Sequence, residues 1–234
     1  MREKVSVAMA AYNGEKFIKE QVKSILDNLT EGDELVVSDD GSTDATKEIL
    51  LSFKDDRIKV FEGPKKGVKK NFENAIKNCK NRYIFLCDQD DIWDSEKVEK
   101  VMKVFKENNC PVCVHNCELI KEDGGKLLDS YFEYRNSGAG FFKNIMKNSY
   151  MGCCMAFDAL MLKDKILPIP ENIEMHDQWI GVIGDKIGKN VFIEDKLIKY
   201  RRHEDNASDC FNHYGFFKML RNRINLIFNL VRVR

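Results

Sequence analysis

The sequence predicts an α/β protein: a mixed, mostly parallel sheet flanked by helices, with a basic amphipathic segment at its C-terminal end. Two observations carry this reading. Over the first hundred residues, short β-branched runs alternate with longer amphipathic stretches, the pattern of strand–helix–strand units. Three of those runs end in polar clusters, Tyr12-Asn13-Gly14, Asp39-Asp40-Gly41 and Asp88-Gln89-Asp90-Asp91. In open α/β sheets ligands bind outside the carboxyl ends of the strands, so the three clusters should converge on one crevice.

Taken in order, Val5 to Ala10 reads as the first strand and Glu15 to Asn28 as its helix. Glu34 to Ser38 is the second strand, and the turn DDGSTD supplies a bend at Gly41 and the caps Ser42 and Thr43 for a helix reaching about Phe53. Arg57 to Phe61 is the third strand. The GPKKG turn then leads to a helix from Val68 to Cys79, with Phe72, Ala75, Ile76 and Cys79 at helical spacing. Tyr83 to Cys87 is the fourth strand. After Ser95 come a charged helix to about Asn109, a strand around Cys113 and a turn at Asp123-Gly124-Gly125. VFIEDKLIKY suggests two short strands around a turn at Glu194-Asp195, and the final segment is apolar at Phe217, Leu220, Ile224, Ile227 and Val231.

Composition narrows the function. Lysine plus arginine equal aspartate plus glutamate at 38 each, so there is no net basic field to hold a nucleic-acid backbone. The N-terminal apolar run breaks at Asn13 and Gly14, too short for a signal-peptide core, and no stretch approaches the roughly 20 apolar residues of a membrane span. Cys110, Cys113, His115 and Cys117 lie close in sequence, but period-two alternation reads as a strand and no second CxxC pair completes a zinc site. Reduced cysteines in the cytosol are the simpler account. The Asn-x-Ser/Thr triplets at Asn28 and Asn206 then carry no glycan.

One aspartate at a strand end can simply cap the next helix, which for Asp39-Asp40-Gly41 is as good a reading as a site. Asp88-Gln89-Asp90-Asp91 is different, because packed carboxylates repel unless a cation or protons neutralise them. Hard oxygen ligands at alternate positions suit magnesium or manganese together with substrate phosphates.

VAMAAYNGEKFIKEQVKSIL, VVSDDGSTDAT, IFLCDQDDIW, MGCCMAF, HDQW and YRRHEDNAS occur in the order seen in family-2 glycosyltransferases of the GT-A fold. Together they resemble the bacterial rhamnosyltransferase-like enzymes of cell-surface polysaccharide synthesis, over roughly residues 4 to 208. The resemblance implies a nucleotide-diphosphate sugar as donor, possible donors including dTDP-rhamnose and UDP-sugars, and a glycan or lipid-linked saccharide as acceptor. It places Tyr12 on the base and Asp39 or Asp40 on base or ribose. Lys70 and Asn71, in GVKKNF, stand beside the nucleotide, or else open a solvated helix. Asp88-Gln89-Asp90 matches the DxD motif, with Asp88 reaching ribose or metal and Asp90 binding a manganese or magnesium ion that bridges the diphosphate.

In the same resemblance, Asp177 of His176-Asp177-Gln178-Trp179 is the general base for an inverting, single-displacement transfer, its bland alternative being a helix cap. Some relatives carry glutamate where this chain has His176. His203 either completes the metal shell or touches the diphosphate, as in some relatives, or is a surface residue of its loop, and Arg201 and Arg202 can pair with phosphate oxygens. Trp93 and Trp179 are better used in packing than on sugars. The implied organisation is a glycosyltransferase domain over residues 1–205, with a nucleotide-binding half (1–95) and an acceptor-binding half (96–205), then a basic amphipathic tail (206–234). Five basic residues and no acidic one lie in 218–234, so the tail either packs on the domain or lies at the inner face of the cell membrane. Two other readings share the pattern: a sugar nucleotidyltransferase, which would more naturally show a glycine-rich phosphate loop, and a non-catalytic binding module on the same fold.

Overall fold

In the computed structural model, which describes residues 2–204, 206 and 215–233, one sheet runs through the molecule. Its first half is wound as the alternation requires. Strand β1 (Val5–Ala11), helix α1 (Ile18–Leu26), β2 (Glu34–Asp39), α2 (Thr46–Ser52), β3 (Ile58–Glu62), α3 (Val68–Asn78) and β4 (Tyr83–Cys87) follow one another. The strands lie in the order β3-β2-β1-β4, all parallel. Every residue of β1, β2 and β4 is buried, which is why each is built around an apolar run, residues 7–11, 35–37 and 83–87, rather than a strict alternation.

The chain moves outward from β1 to β2 and β3, then returns to place β4 on the other side of β1. That reversal is the topological switch point of the sheet. The loops leaving β1 and β4 therefore both end at this point, on the wall of one crevice. Those loops carry Tyr12 and Asp88.

The second half adds β5 (Ile92–Trp93), α4 (Lys97–Asn108), β6 (Val112–Lys121), β7 (Lys126–Leu128), α5 (Tyr131–Arg135) and α6 (Phe141–Met146). A 3-10 turn at Gly152–Cys154 follows, then β8 (Met155–Asp158), α7 (Ala159–Ile166), α8 (His176–Ile187), β9 (Val191–Arg202) and α9 (Phe216–Arg232). The sheet continues β4-β8-β6-β9-β5, with β7 on β6. β8 runs antiparallel to both β4 and β6, β9 is parallel to β6, and β5 is antiparallel to β9, which makes the sheet mixed.

Two expectations change here. VFIEDKLIKY is not two strands around a turn but part of the single strand β9, whose pairing with β6 slips between His115↔Ile193 and Asn116↔Lys196. Glu194 and Asp195 form a bulge, so turn-type residues accommodate extra chain without reversing it. The tail forms helix α9, but it packs through Leu226 and Leu230, while Phe217, Leu220, Ile224, Ile227 and Val231 are exposed. Asn225 and Asn229 donate to Asn172, and Lys186 donates to the Leu230 carbonyl at 2.8 Å, fixing the helix on the domain. Among the described residues, no helix is long and apolar enough to cross a membrane.

Candidate active site

At the switch point lies a cavity of about 650 Å³ lined by residues of both halves. Tyr12 enters from the end of β1, Asp40 from β2, Asn71 from α3, Asp88 and Asp90 from the loop after β4, and Asp177 from the first turn of α8.

The loop after β1 is locked to the loop after β4. Gln89 Nε2 donates to the Tyr12 carbonyl and the Tyr12 N–H donates to Gln89 Oε1, each at 2.9 Å. A Cβ at Gly14 would stand 2.4 Å from Gln89 Oε1, so a side chain there would push the amide out of this exchange. Tyr12 is left 56% exposed with its ring free to pack on a planar ligand.

Asp39 and Asp40 both shape loops. Asp39 Oδ1 accepts from the N–H groups of Gly41 and Ser42, while its buried Oδ2 has no hydrogen-bond partner. Asp40 accepts from the N–H groups of Lys65 and Gly67, which holds the β3–α3 loop against the cavity rim. Asn71 donates to the Ala11 carbonyl at 3.0 Å and keeps its buried Oδ1 without a partner. Lys70, its neighbour, does not line the cavity. Its ammonium is held by Glu73, Glu171 and the Ile169 carbonyl.

Around the acidic loop the structure concentrates charge. Burial pushes the Asp88 carboxyl up to about 7, the charges of Asp90 and Asp177 add to the rise, and the Lys97 ammonium opposes it. Asp91 is raised by burial for the same reason and accepts from the Arg201 N–H at 3.0 Å. His203 Nε2 lies 2.8 Å from Asp90 Oδ2, and Asn206 Nδ2 donates to the same oxygen at 3.2 Å. The His203 ring rests against Phe17, 4.8 Å between centroids. The rest of YRRHEDNAS, Asp205 and residues 207–208, lies outside the described residues.

The arrangement fits a hard divalent cation. Asp90 Oδ1 and Asp91 Oδ2 are buried without hydrogen-bond partners, the state expected of oxygens awaiting a ligand. Asp88, Asp91 and Cys153 also offer ligand atoms all within 4.8 Å of one another, a grouping the DxD spacing alone does not announce.

Arg201 is used differently from the phosphate contact its motif implies. It is 5% exposed and does not line the cavity. Its guanidinium donates to the carbonyls of Asp90 and Glu122 and to Glu20 Oε2, at 3.0, 2.9 and 2.7 Å. Arg202 likewise lies off the cavity, with a contact to the Tyr200 hydroxyl at 3.4 Å.

On the opposite side, Asp177 Oδ1 accepts from the Gln178 N–H at 2.5 Å, and burial raises its carboxyl to about 6. Such a carboxylate is a stronger base than an exposed one and is still ionised at neutral pH. Trp93 and Trp179 are both buried. Trp179 donates to the Ile166 carbonyl at 2.9 Å, and Trp93 carries the Lys97 ammonium 3.9 Å from its ring centroid.

Four contributors were not singled out in the sequence: Gln89, Gly152, Asn206 and Lys97. Lys97 had a signal, because it precedes Val101 and Phe105 by four and eight positions on the buried stripe of α4, where a lysine needs a reason. It is wholly buried and donates to the Cys153 carbonyl at 2.9 Å.

Comparison with known proteins places this geometry. Residues 6–167 match the family model "Glycosyl transferase family 2". The chain is 31% identical over 154 residues to a putative teichuronic acid biosynthesis glycosyltransferase of Bacillus subtilis, TuaG, covering 64% of this chain and 59% of that protein. It thus spans about three fifths of that relative's length. It is 29% identical to the Escherichia coli UDP-Glc:alpha-D-GlcNAc-diphosphoundecaprenol beta-1,3-glucosyltransferase WfgD, over 87% of this chain and 79% of the relative. The dTDP-rhamnosyl transferase RfbG of Shigella flexneri is 28% identical over 85% of this chain and 72% of its own. Among solved structures, S. aureus TarS 1-349 in complex with UDP-GlcNAc superposes with a TM-score of 0.76 at 21% identity, over 97% of this chain and 67% of that one. The fold is GT-A, and the chain belongs to the family 2 glycosyltransferases.

Proposed function

We propose that the cavity binds a nucleoside-diphosphate sugar and transfers its sugar, with inversion, to a hydroxyl of a glycan or lipid-linked saccharide in cell-surface polysaccharide synthesis. The observation that carries this is the meeting of Asp88 and Asp177 on one cavity, close enough for the charge of one to raise the other. A basic carboxylate and the loop suited to a diphosphate thus line the same cavity.

In this reading residues 1–95 hold the nucleotide: Tyr12 packs on the base, and Asp39, Asp40 and Asn71 offer acceptors to base and ribose. Residues 96–205 supply the acceptor side. Asp177 takes the proton of the attacking hydroxyl as its oxygen bonds the anomeric carbon, and the sugar–phosphate bonding pair leaves with the nucleoside diphosphate. A divalent cation, when bound, would be held by Asp88 and Asp90 with His203 alongside, and would neutralise charge on the departing diphosphate. Arg201 braces that loop from behind.

Relatives named for a diphosphoundecaprenol acceptor and for dTDP-rhamnose and UDP-Glc donors support a lipid-linked saccharide acceptor and a UDP or dTDP donor. The apolar face of α9, flanked by Arg221, Arg223 and Arg232, favours attachment to an anionic lipid surface. The test is a panel of UDP-glucose, UDP-N-acetylglucosamine and dTDP-rhamnose with manganese, read by thermal stabilisation and donor hydrolysis. Metal-dependent stabilisation with slow hydrolysis is expected. Binding without any hydrolysis would favour a non-catalytic module, and release of pyrophosphate from a nucleoside triphosphate and a sugar phosphate would favour a nucleotidyltransferase.

A further inference from the structure

The acceptor half carries an apolar surface that the core leaves uncovered. On α6, Phe142 and Met146 stand four residues apart and so share one face of the helix, 81% and 60% exposed. Phe141 packs on the core, with the Phe142 ring edge-on to it at 5.4 Å between centroids. On α9 the exposed residues Leu220, Ile224, Ile227, Phe228 and Val231 form an arc on the side opposite Leu226 and Leu230. The two faces are joined. Arg223, at the edge of that arc, donates to the Met146 carbonyl at 2.6 Å, which brings the end of α6 beside it. α6 is also joined to the cavity: the Gln178 side-chain amide donates to the Asn144 carbonyl at 3.0 Å, and the Gln178 backbone N–H donates to Asp177 Oδ1. One residue thus ties Asp177 to the helix that carries Phe142 and Met146.

Charge decides what this surface meets. Neither helix contains an acidic residue. Exposed Arg221 and Arg232 border the arc on its far side, the Arg232 guanidinium 4.0 Å from the Phe228 ring centroid, and exposed Lys147 follows Met146. Lys218 contributes less, because Glu174 holds it at 2.8 Å. A contiguous apolar face rimmed by cations marks a contact surface, unlike apolar residues scattered singly. Two copies of this face would bring cations against cations, whereas anionic headgroups complement the rim and acyl chains the apolar residues. We infer that α6 enters a lipid surface together with α9: Phe142 and Met146 insert into an anionic bilayer and set the acceptor side of the cavity against the membrane that holds the acceptor. The lipid-linked acceptor in that role rests on the functional reading above. Lipid contact thereby extends from α9 to a helix bonded to the residue that follows Asp177.

The experiment uses the full chain, as wild type and with Phe142→Ser and Met146→Ser combined. Each is floated at low salt with vesicles of phosphatidylcholine alone and of phosphatidylcholine with phosphatidylglycerol. Wild type is expected to bind the phosphatidylglycerol vesicles and the variant to bind them roughly 10- to 100-fold more weakly. Melting temperature and affinity for UDP-glucose, UDP-N-acetylglucosamine and dTDP-rhamnose should match wild type. If the double variant loses melting temperature, Phe142→Ser alone is used, with at least a roughly tenfold loss expected. Equal flotation of variant and wild type overturns the inference even where Ile224→Glu and Ile227→Glu abolish binding, because only α9 would then touch lipid. So does wild-type binding that is as strong without phosphatidylglycerol. Self-association of the lipid-free wild type that the variant loses, measured by sedimentation, would assign the face to a second copy and overturn it as well. The functional reading fails separately: a wild type that floats but binds none of the three sugar nucleotides defeats that reading and leaves the lipid contact standing.

Discussion

Gln89 and Tyr12 grip each other at the switch point of the sheet, the side-chain amide of one exchanging two hydrogen bonds with the backbone of the other. The middle residue of the acidic motif thus fixes the distance between the loop after β1 and the loop after β4. Removing it should loosen both at once. Gln89→Ala is expected to cost about 1–3 kcal/mol of stability. It should also weaken nucleotide binding by roughly tenfold, measured by urea unfolding and nucleotide titration on the same variant.

Asp90 tests the cation. Asp90→Asn keeps the volume but removes a charge from an oxygen that has no protein partner. Manganese-dependent donor binding should fall by at least the roughly 10- to 100-fold that loss of a supporting contact costs at metal sites, with the fold intact. Metal-dependent affinity equal to wild type would remove Asp90 from the ligand set.

Asp177 sets two pH dependences. As a base it must be ionised, so transfer should rise with pH through about 6 and then level off. For stability the sign is opposite. The folded carboxyl holds its proton more tightly than the ordinary value of 3.8, so the folded state binds more protons between 3.8 and about 6. The stability present below 3.8 is lost as pH rises through about 6. Asp177→Asn should abolish transfer, leave donor binding near wild type, and gain melting temperature relative to wild type at neutral pH but not in acid. Parallel melting curves at both pH values would contradict the assigned environment.

Arg201 distinguishes bracing from phosphate contact. Lysine cannot reach Asp90, Glu122 and Glu20 together, so Arg201→Lys should destabilise by about 2–4 kcal/mol. Nucleotide affinity should fall only as the acidic loop loosens. A fall in affinity without loss of stability, measured by denaturation, would return Arg201 to the phosphates.

The exposed face of α9 can be altered without touching Leu226 or Leu230. Ile224→Glu and Ile227→Glu together should leave the melting temperature unchanged and reduce binding to vesicles containing anionic lipid by at least roughly tenfold. Equal flotation of variant and wild type would exclude this face as the lipid contact.

The winding of β1 to β4 was legible because the buried strands β1, β2 and β4 are each built around an apolar run that ends where polar residues begin. The ends of α1 and β3 shifted by a few residues, as frayed termini do. Less legible was anything depending on what a side chain faces. The period of α9 identified a helix, but Leu226 and Leu230, off the predicted stripe, are the residues that pack. Glu194 and Asp195 look like turn residues, and only the register against β6 reveals a bulge. Arg201 and Lys70 carry charges suited to phosphate, and their neighbours in space take those charges first. Asp91 and Cys153 approach each other through a turn that no spacing rule connects.

Strand β9 makes the acidic loop depend on chain far downstream of it. It is threaded beside β6 and brings Arg201 and His203 to the acidic loop. Arg201 gives its backbone N–H to Asp91, 110 positions earlier in the chain, and its guanidinium to the Asp90 carbonyl. Without these contacts the neighbouring carboxylates of Asp90 and Asp91 would lose the partners that offset their repulsion. A change that frays the end of β9 should therefore be felt at the acidic loop, even though the two lie far apart along the chain.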